Sequence, residues 1–114
     1  MTKMKLVLFA SGNGSNAIAI IKHFEKHQGV EIAFVLSNKS NAPIVQKAKD
    51  LGVKVITVTN EEASNSVLLL NLMEDYSVDY IILAGYLRKI PSELIQNFQD
   101  KIINVHPSLL PKYG

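Results

Sequence analysis

The sequence predicts an α/β fold, a doubly wound and mostly parallel sheet, on three observations. Five short apolar runs rich in Val, Ile and Leu recur along the 114 residues, as strands do. Segments with apolar residues at helical spacing separate them, and strands alternating with helices favour a parallel sheet joined by right-handed crossovers. The first run, Lys5 to Ala10, is apolar throughout, as a central parallel strand covered on both faces should be.

Each element follows from local residues. After Lys5 to Ala10 comes a tight loop, Ser11-Gly12-Asn13-Gly14-Ser15-Asn16, then a helix from Ala17 to His27 on Ile18, Ile21 and Phe24, ended by Gly29. Glu31 to Ser37 reads as the second strand. Asn41-Ala42-Pro43 opens a helix with proline in its first turn, continued by Ile44, Val45 and Ala48 and closed by Gly52. Lys54 to Val58 is the third strand, Glu61 to Tyr76 one long helix, Asp79 to Ala84 the fourth strand, and Ser92 to Phe98 a short helix. The fifth strand, around Ile102, Ile103 and Val105, is expected to be buried, and Pro107 and Pro111 send the chain beyond it into an extended loop. The apolar pair Leu109-Leu110 in that loop has nothing after it to cover it, so a C-terminal portion of the fold is expected to be absent from this chain.

Composition bounds the function. Hydrophobic residues at 47% and charged residues at 19% describe an ordered globular domain and exclude a disordered one. A net charge of +2 demands neither nucleic acid nor an anionic membrane, and the pI near 8.9 suits an anionic small molecule. With no cysteine, disulfides, thiol nucleophiles and thiolate metal sites are excluded, which fits a reducing compartment. The apolar run Leu6 to Ala10 is too short for a signal peptide, so a cytoplasmic location is expected.

Three constellations carry chemistry. In Gly12-Asn13-Gly14-Ser15-Asn16-Ala17, glycines let the backbone approach an anion, and the N–H groups and dipole of the following helix hold phosphate. The pattern is close to a dinucleotide fingerprint, but Ser37-Asn38-Lys39 offers no carboxylate for a ribose, so a terminal phosphate fits better. The plain alternative is a turn capped by Ser15 or Asn16. Asn104 and His106, two apart on a strand, face the same side at the carboxyl end of the sheet, where open α/β sheets bind ligands. An amide that stabilises an oxyanion beside an imidazole that moves a proton suits acyl-type transfer; the alternative is a histidine satisfied by backbone. Gly85, in Ala84-Gly85-Tyr86-Leu87-Arg88-Lys89-Ile90-Pro91, permits close approach of a ligand whose heterocycle the following backbone could bond, against the alternative of a simple strand-to-helix connection. His23 and His27 have metal-ligand spacing but read as a solvated last turn; Leu68 to Leu70, Leu72 and Met73 read as helix core, and Glu61, Glu62, Glu74 and Asp75 as solvated charges.

Taken together, Ser11 to Asn16, Leu83-Ala84-Gly85-Tyr86-Leu87-Arg88 and Asn104-Val105-His106-Pro107-Ser108-Leu109-Leu110-Pro111 resemble the phosphoribosylglycinamide formyltransferases, folate-dependent enzymes of purine synthesis. The resemblance runs over essentially the whole chain. The last motif alone is shared with methionyl-tRNA formyltransferase and formyltetrahydrofolate deformylase, and the first singles out the glycinamide ribonucleotide enzymes. It implies a Rossmann-like formyltransferase N-terminal, substrate-binding domain over residues 1–114, acting on glycinamide ribonucleotide with 10-formyltetrahydrofolate as co-substrate, and no metal, nucleic acid or membrane. Gly14, Ser15 and Asn16 would hold the phosphate; Gly85 and Pro107 would lie near the ribose and glycyl part. Leu87, Arg88, Lys89 and Ile90 would line the pterin pocket, His106 would be the general acid, and Asn104 would bind the formyl oxygen. Two departures are notable. Family members carry a basic residue near the start of the third helix, where this chain reads Asn60-Glu61-Glu62-Ala63-Ser64. The family's catalytic aspartate falls beyond Gly114, so the chain by itself is expected to be incomplete for catalysis; the alternatives are a phosphate-binding fragment without turnover, or a related tRNA formyltransferase or formyltetrahydrofolate deformylase.

Overall fold

The computed structural model describes residues 3–105. Five strands form one sheet, β1 (Met4–Phe9), β2 (Val30–Ser37), β3 (Val55–Thr57), β4 (Tyr80–Ala84) and β5 (Ile102–Val105), in the order β3-β2-β1-β4-β5. Every pairing is parallel. Chain order runs outward from β1 to β3, then returns to the other side of β1 with β4, so the topological switch point lies between β1 and β4.

The alternation of side chains in β1 builds two cores. Leu6, Leu8 and Ala10 pack with Val35, Ile82 and Ala84 under α1 (Ser15–Phe24) and α2 (Pro43–Asp50). Val7 and Phe9 pack on the opposite face with Phe34, Leu36 and Ile81 under α3 (Asn60–Ala63), α4 (Ser66–Asp75) and α5 (Ser92–Asn97). The apolar run through β1 is thus the signature of a strand with no solvated face.

Four expectations are corrected. The first helix begins at Ser15, not Ala17, because Gly14 takes a left-handed conformation (φ 77°) and serves as N-cap without any side-chain cap from Ser15 or Asn16. It also ends at Phe24, well before Gly29, which leaves His27 outside the helix. The helix expected from Glu61 to Tyr76 is two: Ser64 and Asn65 interrupt it, and the Asn65 side chain accepts from the Leu68 N–H at 3.1 Å to start α4 afresh. Among the described residues β5 is an edge strand, not a buried one, with Ile103 47% exposed and Asn104 also exposed. Pro43 does open α2, and Leu68 to Leu70, Leu72 and Met73 do fill the core of one face.

Candidate functional site

The carboxyl ends of β1 and β4 flank the switch point, and each is followed by one of the singled-out loops. Phosphate-type ligands bind in this crevice in open α/β sheets. The two loops are tied directly: the Ser11 N–H donates to the Gly85 carbonyl at 3.2 Å. Asn104 lies at the same end of the sheet, in register with Leu83 of β4. Two of the sequence-derived constellations and Asn104 of the third are therefore brought to one end of the sheet. His106 and Pro107 lie outside the described residues.

The glycine-rich loop is shaped by α2 as well as by its own sequence. A Cβ on Gly14 would stand 2.7 Å from Ile44 Cβ, so this backbone can approach α2 only as glycine. The Ile44 N–H donates to the Gly12 carbonyl at 3.2 Å, and Lys47 Nζ donates to the Asn13 carbonyl at 3.1 Å. Asn13 Oδ1 in turn accepts from the Ser15 N–H at 3.1 Å. The N–H groups of a helix's first turn have no intrahelical carbonyl to receive them, so Ser15, Asn16 and Ala17 present donors where the dipole also favours an anion. Asn13 Oδ1 occupies one of these donors as an anion would.

Lys47 adds a positive charge beside this loop that sequence reasoning missed. Its only sequence signal is its place one turn after Ile44 on α2, and the loop contact depends on packing between segments 34 residues apart.

The loop after β4 is half anchored and half open. Ile90 is buried in the core, Leu87 is 73% exposed, Lys89 is exposed, and open space stands where Gly85 would carry a side chain. Tyr86 meets Phe9 edge-on with ring centroids 5.1 Å apart. Burial pushes the Tyr86 phenol above its usual pKa, with the Arg88 charge opposing. Arg88 Nη2 donates to Ser64 Oγ at 3.2 Å and makes a longer contact of 3.4 Å with the Asn60 carbonyl. The start of α3 thus lacks a basic residue of its own but has the Arg88 guanidinium laid over it.

Beneath both loops, Asn38 fills the place where a dinucleotide site would have an acid. It is buried, with its Oδ1 2.6 Å from Ser11 Oγ and its Nδ2 3.0 Å from Asn60 Oδ1. Ser11 Oγ also accepts from the Leu87 N–H at 2.9 Å. The sequence marked position 38 only for what it lacks.

The weaker signals resolve plainly. His23 and His27 are exposed and flank Phe24, with centroids 4.8 and 5.6 Å from its ring. Among the described residues no group of three or more His, Cys, Asp or Glu is placed to hold a metal ion. Glu62 is not a merely solvated charge: it closes a capping box, its Oε1 accepting from the Thr59 N–H at 2.8 Å and its own N–H donating to Thr59 Oγ1 at 3.0 Å. No helix among the described residues is long and apolar enough to cross a membrane.

Comparison with known proteins agrees with this geometry. The phosphoribosylglycinamide formyltransferase of Haemophilus influenzae is 36% identical over 117 residues, covering 96% of this chain and 54% of that protein. The chloroplastic phosphoribosylglycinamide formyltransferase of Vigna unguiculata is 36% identical over 119 residues, covering 98% of this chain and 38% of that protein. Among solved structures, phosphoribosylglycinamide formyltransferase from Brucella melitensis superposes with a TM-score of 0.85 at 30% identity, over 98% of this chain and 61% of that one. The chain thus spans about half the length, or less, of these curated relatives. The formyl transferase family model matches residues 4–114, essentially the whole sequence, and the chain belongs to the formyl transferase family.

Proposed function

We propose that these residues form the nucleotide-binding half of a phosphoribosylglycinamide formyltransferase, which transfers the formyl group of 10-formyltetrahydrofolate to the amine of glycinamide ribonucleotide. The observation that carries the reading is the joining of the Gly12–Asn16 loop to the Gly85–Ile90 loop across the switch point, through the Ser11 N–H and the Gly85 carbonyl. One loop offers helix N-terminal donors suited to a phosphate, and the other offers backbone beside open space. The names of the relatives point the same way.

In this reading the phosphate sits on the N–H groups of Ser15 and Asn16 after the turn at Gly14, replacing Asn13 Oδ1, with Lys47 adding charge nearby. Gly85 and Pro107 flank the ribose and glycyl part, and Leu87, Arg88, Lys89 and Ile90 receive the pterin. The substrate amine attacks the formyl carbon. The carbonyl oxygen becomes an oxyanion, and the Asn104 amide donates to it. His106 gives a proton to the departing nitrogen of the folate, the carbon–nitrogen bond breaks, and tetrahydrofolate leaves as the formylated amine loses its own proton. A sequence of 114 residues without cysteine fits a reducing setting such as the cytoplasm.

The test is formyl transfer and ligand binding measured together. Glycinamide ribonucleotide should bind at least on the order of tenfold tighter than its dephosphorylated riboside, because charge-assisted bonds to the loop are lost without phosphate. His106→Ala should abolish transfer in the whole protein and leave that difference intact. Equal affinity for the two would overturn the phosphate site; transfer surviving in His106→Ala would overturn the proton donor. Phosphate-dependent binding with no transfer at all would favour a purely binding role.

A further inference from the structure

Six residues from four parts of the chain close a ring of hydrogen bonds beneath the site. The Leu87 N–H donates to Ser11 Oγ at 2.9 Å, Ser11 Oγ donates to Asn38 Oδ1 at 2.6 Å, and Asn38 Nδ2 donates to Asn60 Oδ1 at 3.0 Å. Arg88, next to Leu87, returns to α3 through Nη2, bonding Ser64 Oγ at 3.2 Å and lying 3.4 Å from the Asn60 carbonyl. Ser11 accepts from the Leu87 N–H and gives its single proton to Asn38, which turns its oxygen toward Ser11 and its amide hydrogens toward Asn60. Ser11 is 1% exposed and Asn38 8%, so water cannot readily replace either partner.

We propose that Ser11, with Asn38 behind it, is a positioning residue that sets the backbone of the Leu87–Ile90 loop, and so tunes affinity for the folate without touching it. The inference rests on the reading that this loop receives the pterin. Leu87 is 73% exposed, so side-chain burial among the described residues does little to fix it; its N–H is held by the side chain of Ser11, just after β1. The same Ser11 donates its N–H to the Gly85 carbonyl, so one residue fixes both ends of the Gly85–Leu87 turn. The glycine-rich loop depends instead on α2, through Ile44 and Lys47. The two halves share the Ser11 backbone, but only the Leu87 side rests on the Ser11 hydroxyl, so loss of that hydroxyl should be felt mainly there.

The experiment compares wild type, Ser11→Ala and Asn60→Ala for binding of a non-transferable 10-formyltetrahydrofolate analogue and of glycinamide ribonucleotide, with amide hydrogen exchange at Leu87 read in the absence of ligand. Asn60 is exposed, so that variant breaks the ring without disturbing the core. Ser11→Ala should weaken the folate analogue on the order of tenfold and speed Leu87 exchange by a similar factor, as expected for one lost buried hydrogen bond. Asn60→Ala should do the same to a smaller extent, and nucleotide affinity should change by less than about twofold in both, a residue outside that contact being near-neutral. Equal losses for both ligands in Ser11→Ala would show general damage and overturn the proposal, as would unchanged folate affinity or a Leu87 amide already unprotected in wild type. Failure of wild type to bind the folate analogue, with Leu87 protected, would instead locate the error in the assignment of the pterin loop and remove the proposal with it.

Discussion

Gly14 is constrained twice, once by its own backbone and once by a neighbour. Its φ of 77° costs an L-residue about 1–2 kcal/mol. A Cβ there would also press on Ile44, which is fully buried and unable to swing aside, and overpacking of that kind costs about 1–3 kcal/mol. Gly14→Ala should therefore destabilise by the sum of two separable penalties. An Ile44→Ala background removes the outer atoms of that side chain but keeps the Cβ 2.7 Å away, so it relieves only part of the second penalty, and urea denaturation of the four proteins should show Gly14→Ala costing less there by about 0.5 kcal/mol or more. The same cost in both backgrounds would mean that the outer atoms of Ile44 do not constrain the loop. The glycine pattern was readable as a ligand loop from sequence, but half the reason for glycine at this position lies in Ile44, whose contact no local pattern announces.

At the scale of elements, α2 and α4 end in the same way with different residues. After α2 the Val53 N–H reaches back to the Ala48 carbonyl at 3.0 Å across Gly52, which has a φ of 79°. After α4 the Val78 N–H reaches the Met73 carbonyl at 2.9 Å across Ser77, with a φ of 53°. This six-to-one bond is the helix stop that glycine usually supplies. Ser77 is exposed, and Val78 tucks into the core beside Met73, so nothing at the position requires a hydroxyl. Ser77→Gly should stabilise the protein by about 1 kcal/mol, the left-handed cost recovered less the added chain entropy, read as a higher urea midpoint at unchanged slope. A lower midpoint would mean that the serine is favoured there. Helix ends of this sort are partly legible: Gly52 marked the close of α2, while Ser77 carried no such sign. The break between α3 and α4 was also written in polar caps, Thr59 with Glu62 and then Asn65, but the apolar spacing running on through Leu68 masked it.

Across the whole molecule, the parallel sheet was legible because each strand announces itself in a few consecutive residues, whereas the ring under the site was not. Its bonds join residues 27 and 76 positions apart, and no periodicity encodes such a distance. The edge position of β5 was hidden for a related reason, since Ile102, Ile103 and Val105 look the same in sequence whether or not a neighbour covers them. The two cores raise a final question, whether they melt together. β1, β2 and β4 each send side chains alternately to both faces, so neither layer can lose its packing while the strand backbones keep their geometry. Ile21 on one face and Ile81 on the other are both buried and separated by the sheet. Ile21→Val and Ile81→Val should each cost about 0.5–1.5 kcal/mol, and the double variant should lose their sum to within about 0.5 kcal/mol. Fluorescence of the tyrosines and far-ultraviolet circular dichroism should trace one coincident transition in every variant. If Ile81→Val instead split the curve into two steps with Ile21→Val leaving it whole, the face beneath α4 and α5 would be a separately unfolding layer, and the shared strands would not couple the two cores.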